Sequence, residues 1–118
     1  MSPLRQIARS TSEPDRFRGT VQRWSIEAGP LAGTICDHAF NNDWSLTWRM
    51  VAGDRQGQVG RAREFVIQPV SDQVFLVSFA TTPGVSVTAA VDFKSRRLTG
   101  VQTGPGYLHP MGGNFRTM

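Results

Sequence analysis

The chain has 118 residues, a formal net charge of +4 and charged residues at 19% of its positions. This length accommodates one domain with a small core, and no apolar run reaches the roughly 18 residues that a transmembrane helix needs. The first residues lack the apolar stretch of a secretory signal, and Cys36 is the single cysteine, which excludes an intramolecular disulfide. We therefore expect a cytoplasmic protein without a membrane partner.

The positive charge is carried by arginines that are scattered along the chain, and Lys94 is the one lysine. The arginines concentrate only in the polar segment 1–19. A nucleic-acid-binding protein would add a helical recognition stripe, a zinc-ligand pattern or an aromatic RNA-binding signature, and the sequence has none of these. We expect no nucleic-acid partner.

Taken in order, the chain begins with a polar, basic segment over 1–19, which we predict to be a flexible tail or a short surface helix. The rest, 20–118, is predicted to be one domain of short strands separated by turn residues. The predicted strands span 20–26, 33–40, 44–51, 61–70, 73–82, 85–93, 98–103 and 114–118. No segment has sustained helical periodicity. This pattern predicts an all-β fold, a small antiparallel barrel of about eight strands.

The hairpin predicted over 33–50 carries the most informative side chains. Alternate residues of a strand point to opposite faces, so Cys36, His38 and Phe40 share one face of its first strand. The same face of the return strand carries Trp44, Leu46 and Trp48. A single titratable group among aromatic side chains is compatible with a plain core and also with one wall of a ligand pocket.

His38 is the main candidate for chemistry, because a histidine on an apolar face can act as an acid or a base near neutral pH. The alternative is a hydrogen-bonded core histidine. Cys36 lies two residues before His38, too far along the strand for a direct hydrogen bond, and fits a small buried residue better than a nucleophile. His38 and His109 are the only histidines, and no metal-ligand spacing occurs, so we expect no metal.

Three arginines, Arg49, Arg61 and Arg63, border the glycine-rich loop predicted over 52–60. A guanidinium group there could bind a substrate carboxylate through two parallel hydrogen bonds. The alternative for each of them is a solvated surface arginine. The sequence contains no phosphate-binding loop, dinucleotide fingerprint or serine nucleophile elbow.

Several short motifs occur in an order and spacing that resemble a known family. They are Gly33-Thr34, Asn42-Asp43-Trp44 (where the family has Asn-Gly-Trp), Trp48, Gly60-Arg61, the run Val74 to Phe79, Val91-Asp92-Phe93 and Leu98-Thr99-Gly100. Over a little more than half of its length, the chain resembles the bacterial phenolic acid decarboxylases and the related MoaF-like proteins. The resemblance implies a calycin (lipocalin-like) barrel, no cofactor and a homodimer.

In the decarboxylases, the barrel cavity holds a hydroxycinnamate, which a tyrosine pair binds while an arginine and a glutamate assist proton transfer. By resemblance, the tyrosine pair falls on His38 and Phe40, the arginine on Arg61 or Arg63, and the glutamate near Thr81. The tyrosines and the acid are therefore missing from this chain. The resemblance implies the barrel and its cavity, and it argues against the same decarboxylation by the same groups.

If His38 faces a cavity, strand alternation predicts which side chains line it. Besides the hairpin residues, they are Phe75, Val77, Phe79, Thr81, Val87, Ala89 and Val91. Tyr107 or His109 is placed to close the mouth. These side chains are mostly large and apolar, which suits a buried ligand and a solid core equally.

Three hypotheses for function follow. The one we favour is a cofactor-free lyase, isomerase or cyclase that acts on a hydrophobic or aromatic small molecule, with His38 as acid or base and Arg61 or Arg63 as the anion partner. The second is a carrier or sensor with the same cavity and no chemistry. The third is a basic accessory protein whose tail binds an acidic partner.

Overall fold

The computed structural model describes residues 16–118, which form nine strands and contain no helix. The strands are β1 (Thr20–Ala28), β2 (Ile35–Phe40), β3 (Leu46–Ala52), β4 (Val59–Ala62), β5 (Phe65–Pro69), β6 (Val74–Thr82), β7 (Val85–Asp92), β8 (Arg97–Gly104) and β9 (Tyr107–Thr117). They pair in one antiparallel sheet of order β4-β3-β2-β1-β9-β8-β7-β6-β5, which curls into a nearly closed barrel. The predicted all-β barrel is confirmed, with nine strands in place of about eight. No helix within the described residues is long and apolar enough to cross a membrane.

The hairpin of β2 and β3 is paired as predicted, but the prediction was wrong at its turn. Trp44 was placed in the return strand, whereas β3 begins at Leu46. Trp44 has a φ of 71°, a left-handed conformation that strand alternation cannot reveal. The Asp43 carboxylate holds this turn, because it accepts hydrogen bonds from the backbone N–H and the hydroxyl of Ser45, at 3.0 and 2.6 Å.

Two other strand predictions also need correction. The predicted strand 61–70 is divided into β4 and β5, and the N–H of Phe65 donates to the carbonyl of Trp44 instead of continuing a ladder. The last strand starts at Tyr107 rather than at residue 114, and it runs through two glycines. A side chain at Gly113 would collide with the backbone of Ser25, so glycine allows β9 to approach β1 closely there.

The inward faces of the strands form one apolar core, because the alternating pattern puts large hydrophobic side chains on the same side of each strand. Phe17 seals one end of the barrel. Its ring packs edge-on against Phe40, Phe75 and Phe93, with centroid distances of 5.2, 5.8 and 5.5 Å. Phe17 belongs to the segment predicted as a tail; the rest of that prediction, up to residue 15, lies outside the described residues.

The barrel is not closed by backbone hydrogen bonds all the way round. The end strands of the sheet, β4 and β5, share no ladder, and β4 lies against β6. We call the line along which β4 meets β5 and β6 the seam. Both end strands are short, and the ring of backbone hydrogen bonds is interrupted at the seam because β4 and β5 are not paired.

Candidate functional site

Three polar side chains face the barrel interior in a single row across β1, β2 and β3. The strand register pairs Gln22 with His38, His38 with Trp48, and Trp48 with Gly60 on β4. Gln22 is 0% exposed and His38 is 6% exposed. The indole of Trp48 lies over Gly60, where a side chain would collide with the ring. We call Gln22, His38 and Trp48 the polar row; it ends beside the seam.

Each member of the polar row has a buried polar atom without a hydrogen-bond partner among the described residues. These atoms are Nε2 of Gln22, Nδ1 of His38 and Nε1 of Trp48. Gln22 is only half satisfied, since its Oε1 accepts from the indole N–H of Trp24 at 3.0 Å. An unpaired buried polar group destabilises a protein by about 1–3 kcal/mol, so three of them in one row require an explanation.

His38 is surrounded by rings. Its imidazole lies 4.3 Å from the ring of Trp24 and 5.7 Å from that of Phe79, measured between centroids. Burial lowers the pKa of His38 to about 4, and a hydrogen bond with the backbone of Gln22 and the nearby carboxylate of Asp37 offset only part of this effect. The imidazole is therefore neutral near pH 7, with one N–H donor and one acceptor nitrogen.

Most of the hydrophobic residues proposed for the pocket lie in the core. The buried ones are Cys36, Phe40, Trp44, Leu46, Phe75, Val77, Phe79 and Ala89, while Trp48, Thr81 and Tyr107 are half-buried. One end of the interior is tightly packed, with Phe40 and Phe65 at 5.0 Å and Trp44 and Phe65 at 5.1 Å. Burial raises the pKa of the Cys36 thiol to about 12, so it stays protonated.

The structure does not bring the two proposed arginines to His38. Arg61 points to the outer face of β4, where its side chain is 63% exposed and its Nη2 lies 3.7 Å from Oδ2 of Asp43. Arg63 is exposed in the connection between β4 and β5. Neither arginine therefore places its guanidinium group inside the barrel near His38.

Tyr107 and His109 lie on β9, away from the polar row in register, and are half-buried. Their ring centroids lie 4.3 Å apart with the planes tilted by 37°, and the Tyr107 hydroxyl accepts a hydrogen bond from the amide of Gln102 at 3.1 Å. Nδ1 of His109 is buried without a partner among the described residues. Within residues 16–118, no three side chains of metal-binding type are grouped closely enough to hold an ion.

Gln22 is the site residue that sequence reasoning missed. The available signal was its parity with Trp24 and Ile26, which lie two and four positions further along the strand and are both buried. A polar residue in phase with two large apolar ones is expected on the inner face.

No protein-family model matches the chain, and no curated protein matches its sequence. Among solved structures, the chain is similar to a crystal structure from Burkholderia vietnamiensis described as a "putative beta-lactamase". The TM-score is 0.77 and the sequence identity 19%, over 92% of this chain and 100% of that one. At this identity the similarity shows the fold alone, and the fold defines the class: a small, nearly closed antiparallel β-barrel.

Proposed function

We propose that the chain is a small-molecule-binding β-barrel whose ligand hydrogen-bonds to the polar row. The observation that carries the proposal is the row itself: three adjacent side chains, each with a buried and unpaired polar atom, in a largely apolar interior. Ligand sites in proteins combine mostly apolar walls with a few convergent polar groups. The resemblance to MoaF-like and phenolic acid decarboxylase barrels supports the same reading.

The row indicates the polarity of the ligand. The amide nitrogen of Gln22 and the indole nitrogen of Trp48 can only donate, so the ligand must carry an acceptor oxygen. The buried polar residues of the described chain are Gln22, His38 and Ser45, none of which bears a charge near pH 7. A carboxylate there would lose its hydration without a countercharge. The ligand is therefore a neutral, largely apolar or aromatic molecule with a carbonyl or hydroxyl group.

The location of the row also suggests how a ligand enters. Gln22 and His38 lie deep, whereas Trp48 is half-buried and covers Gly60 on the end strand β4. Because β4 has no ladder to β5, the seam is the part of the barrel wall that opens with the smallest loss of hydrogen bonds. Movement of the Trp48 ring would give access from this side.

Binding without chemistry, as in a carrier or sensor, agrees best with these contacts. The neutral His38 is not a proton donor of the strength that an acid catalyst needs near pH 7, and the arginines proposed as anion partners are exposed outside the barrel. In this role, His38 would hydrogen-bond the ligand and help to orient it.

A cofactor-free enzyme is the second candidate, and the unpaired Nδ1 of His38 favours it. In the tautomer that leaves Nδ1 unprotonated, this nitrogen of the neutral imidazole can accept a proton from a bound substrate. His38 would then be the base, and the aromatic walls would position the substrate. Turnover that disappears in His38→Ala, while ligand binding is retained, would distinguish this enzyme from a carrier.

The proposal is tested by titrating the protein with 2-acetylnaphthalene, a neutral aromatic ketone, and recording amide and imidazole NMR shifts. We expect shifts at Gln22, His38 and Trp48. Gln22→Met and Trp48→Phe each remove one donor and should weaken binding by about three- to tenfold. The matched control is Met50→Leu, on the same strand as Trp48 but outside the row. Unchanged shifts at the row, or equal affinity in all four proteins, would contradict the proposal.

A further inference from the structure

A second feature that could bind a ligand lies on the opposite face of the same strands. The outer face of β1 to β4 carries a groove of about 490 Å³. The residues that line it include four with short side chains: Val21, Ala39, Thr47 and Val59. These residues alternate with the inward residues of the polar row, and the groove is also lined by Trp48, the member of the row beside the seam, and by Gly60.

The groove is apolar and open to solvent. Val21 is 36% exposed and Val59 is 69% exposed, and the strand register aligns Val21 with Ala39 and Ala39 with Thr47 across three strands. Short side chains in the middle of a sheet face leave a depression, because the longer arginine side chains stand around them. The volume falls in the range of about 300–1,000 Å³ that small-molecule sites occupy.

The rim of the groove carries more positive charges, from arginines, than negative ones. The carboxylate of Asp37 is bound by Arg23 through two hydrogen bonds of 2.8 and 3.0 Å. Arg49 lies directly across from Asp37 in the register, yet it forms no ion pair with any described residue. The hydrogen bond with Arg23 and, to a smaller extent, the positive charge of Arg49 lower the pKa of Asp37, so one carboxylate faces two guanidinium groups and the rim keeps a net positive charge.

Arg61 supplies a second positive charge to the same rim. The register pairs Arg49 with Val59 and Thr47 with Arg61, so the two arginines are diagonal neighbours on β3 and β4, about 7–8 Å apart. The contact of Arg61 with Asp43 is long and exposed, and such pairs contribute little. Two guanidinium groups can thus approach one anion above the apolar floor.

We propose that this outer groove binds a small organic carboxylate with an apolar body. The carboxylate bridges Arg49 and Arg61, which suit planar, bidentate recognition, and the apolar body covers Val21, Ala39 and Val59. This site differs from the interior one in its ligand, which is an anion held on the outer face of the barrel, whereas the interior ligand is neutral; the two sites share only Trp48.

The test uses 2-naphthoate and its neutral counterpart 2-naphthamide, each titrated into the protein while amide NMR shifts are recorded. For 2-naphthoate, we expect shifts of the backbone amides of Ala39, Thr47 and Val59 and none of the Gln22 side-chain amide or the His38 imidazole, whose signals are recorded alongside. Binding of 2-naphthamide should be weaker by on the order of tenfold, because it lacks the charge.

Substitutions in the groove give a sharper measurement. Arg49→Gln and Arg61→Gln should each weaken 2-naphthoate binding by about fivefold, and together by on the order of 20-fold. Arg55→Gln, in the exposed loop between β3 and β4, changes the net charge equally and should leave the affinity unchanged. Asp43→Asn releases Arg61 but keeps the oxygen that Ser45 bonds, so binding should become about twofold tighter.

Four results would overturn the proposal. The amide could bind as tightly as the carboxylate, or Arg55→Gln could weaken binding as much as Arg49→Gln does, which would reduce the effect to net charge. Shifts of the Gln22 side-chain amide or of the His38 imidazole would place the carboxylate inside the barrel. Shifts of the groove residues with protein concentration alone would show that a second copy of the chain covers this face.

Discussion

The burial of His38 should make the folded protein lose stability as the pH falls from about 6.5 towards 4. In the folded state, the pKa of His38 is lowered from 6.5 to about 4 by burial. An unfolded chain therefore takes up a proton between these values while the folded protein does not, so stability is fully present above 6.5 and decreases as the pH falls towards 4. From these two pKa values, the free energy of unfolding should fall by about 2.5 kcal/mol between about pH 7 and about pH 4.5.

The assay is urea unfolding at several pH values in this range, followed by tryptophan fluorescence. His38→Gln removes the titrating group, so its free energy of unfolding should change much less over the same range, whatever its absolute stability. The matched control is His109→Gln, which changes the other histidine; its free energy of unfolding should fall with pH as it does in the wild-type protein. The carboxylates of Asp37 and Asp92 have pKa values lowered by their hydrogen bonds to Arg23 and to the backbone of Lys94, so they lose their charge at lower pH.

This reasoning would be refuted if the free energy of unfolding fell equally with pH in the wild-type protein and in His38→Gln. That result would mean that the folded protein protonates His38 as readily as the unfolded chain does, which requires water or an acidic partner at the ring. The neutral imidazole invoked for ligand binding would then be excluded as well.

Three further predictions concern packing. Gly60→Ala should displace the Trp48 ring, destabilise the protein by about 1–3 kcal/mol and alter tryptophan fluorescence. The matched control is Gly112→Ala, which should have none of these effects because there is space for a methyl group at Gly112. Phe17→Ala should lower the free energy of unfolding by about 3–5 kcal/mol in urea, since Phe17 is 1% exposed; a loss under about 1 kcal/mol would show that Phe17 does not seal the barrel. The Cys36 thiol should react with Ellman's reagent only as fast as the protein unfolds, and rapid labelling of the native state would contradict its burial.

Strand alternation was sufficient to predict most of the architecture. It placed His38 and Phe40 on the inner face of β2, and Val77 and Phe79 on the inner face of β6, where the structure buries them. The turn at Pro83-Gly84 also falls where the sequence predicts it. These features are local, because period-2 burial and turn residues are properties of neighbouring positions.

The errors in the fold occur where the backbone leaves regular geometry. The φ of 71° at Trp44 breaks the alternation that would have continued the return strand. Gly113 lies inside β9, before the predicted start of the last strand at residue 114, and close contact with Ser25 on a strand distant in sequence is what selects glycine there. Such contacts depend on which strands become neighbours, and the spacing of residues along the chain does not contain this information.

The candidate site was predictable in part. His38 and Trp48 were identified from their faces, whereas the inclusion of Gln22 depends on the register of β1 against β2. The expectation that Arg61 would stand beside His38 came from the family resemblance. Parity places Arg61 on the outer face with Val59, because Ala62 and Gly60 point inward.

The first and last strands of the barrel are neighbours at the middle of the sheet, where β1 lies between β2 and β9 and Trp24 pairs with Phe115. During synthesis, β1 and β2 can form their hairpin early, but one edge of β1 must wait for the last strand to leave the ribosome. Contacts between such distant segments make folding slow, and an unpaired apolar edge is prone to aggregate during the delay. A nascent chain halted before β9 is therefore expected to require a chaperone, even though eight of its nine strands are complete.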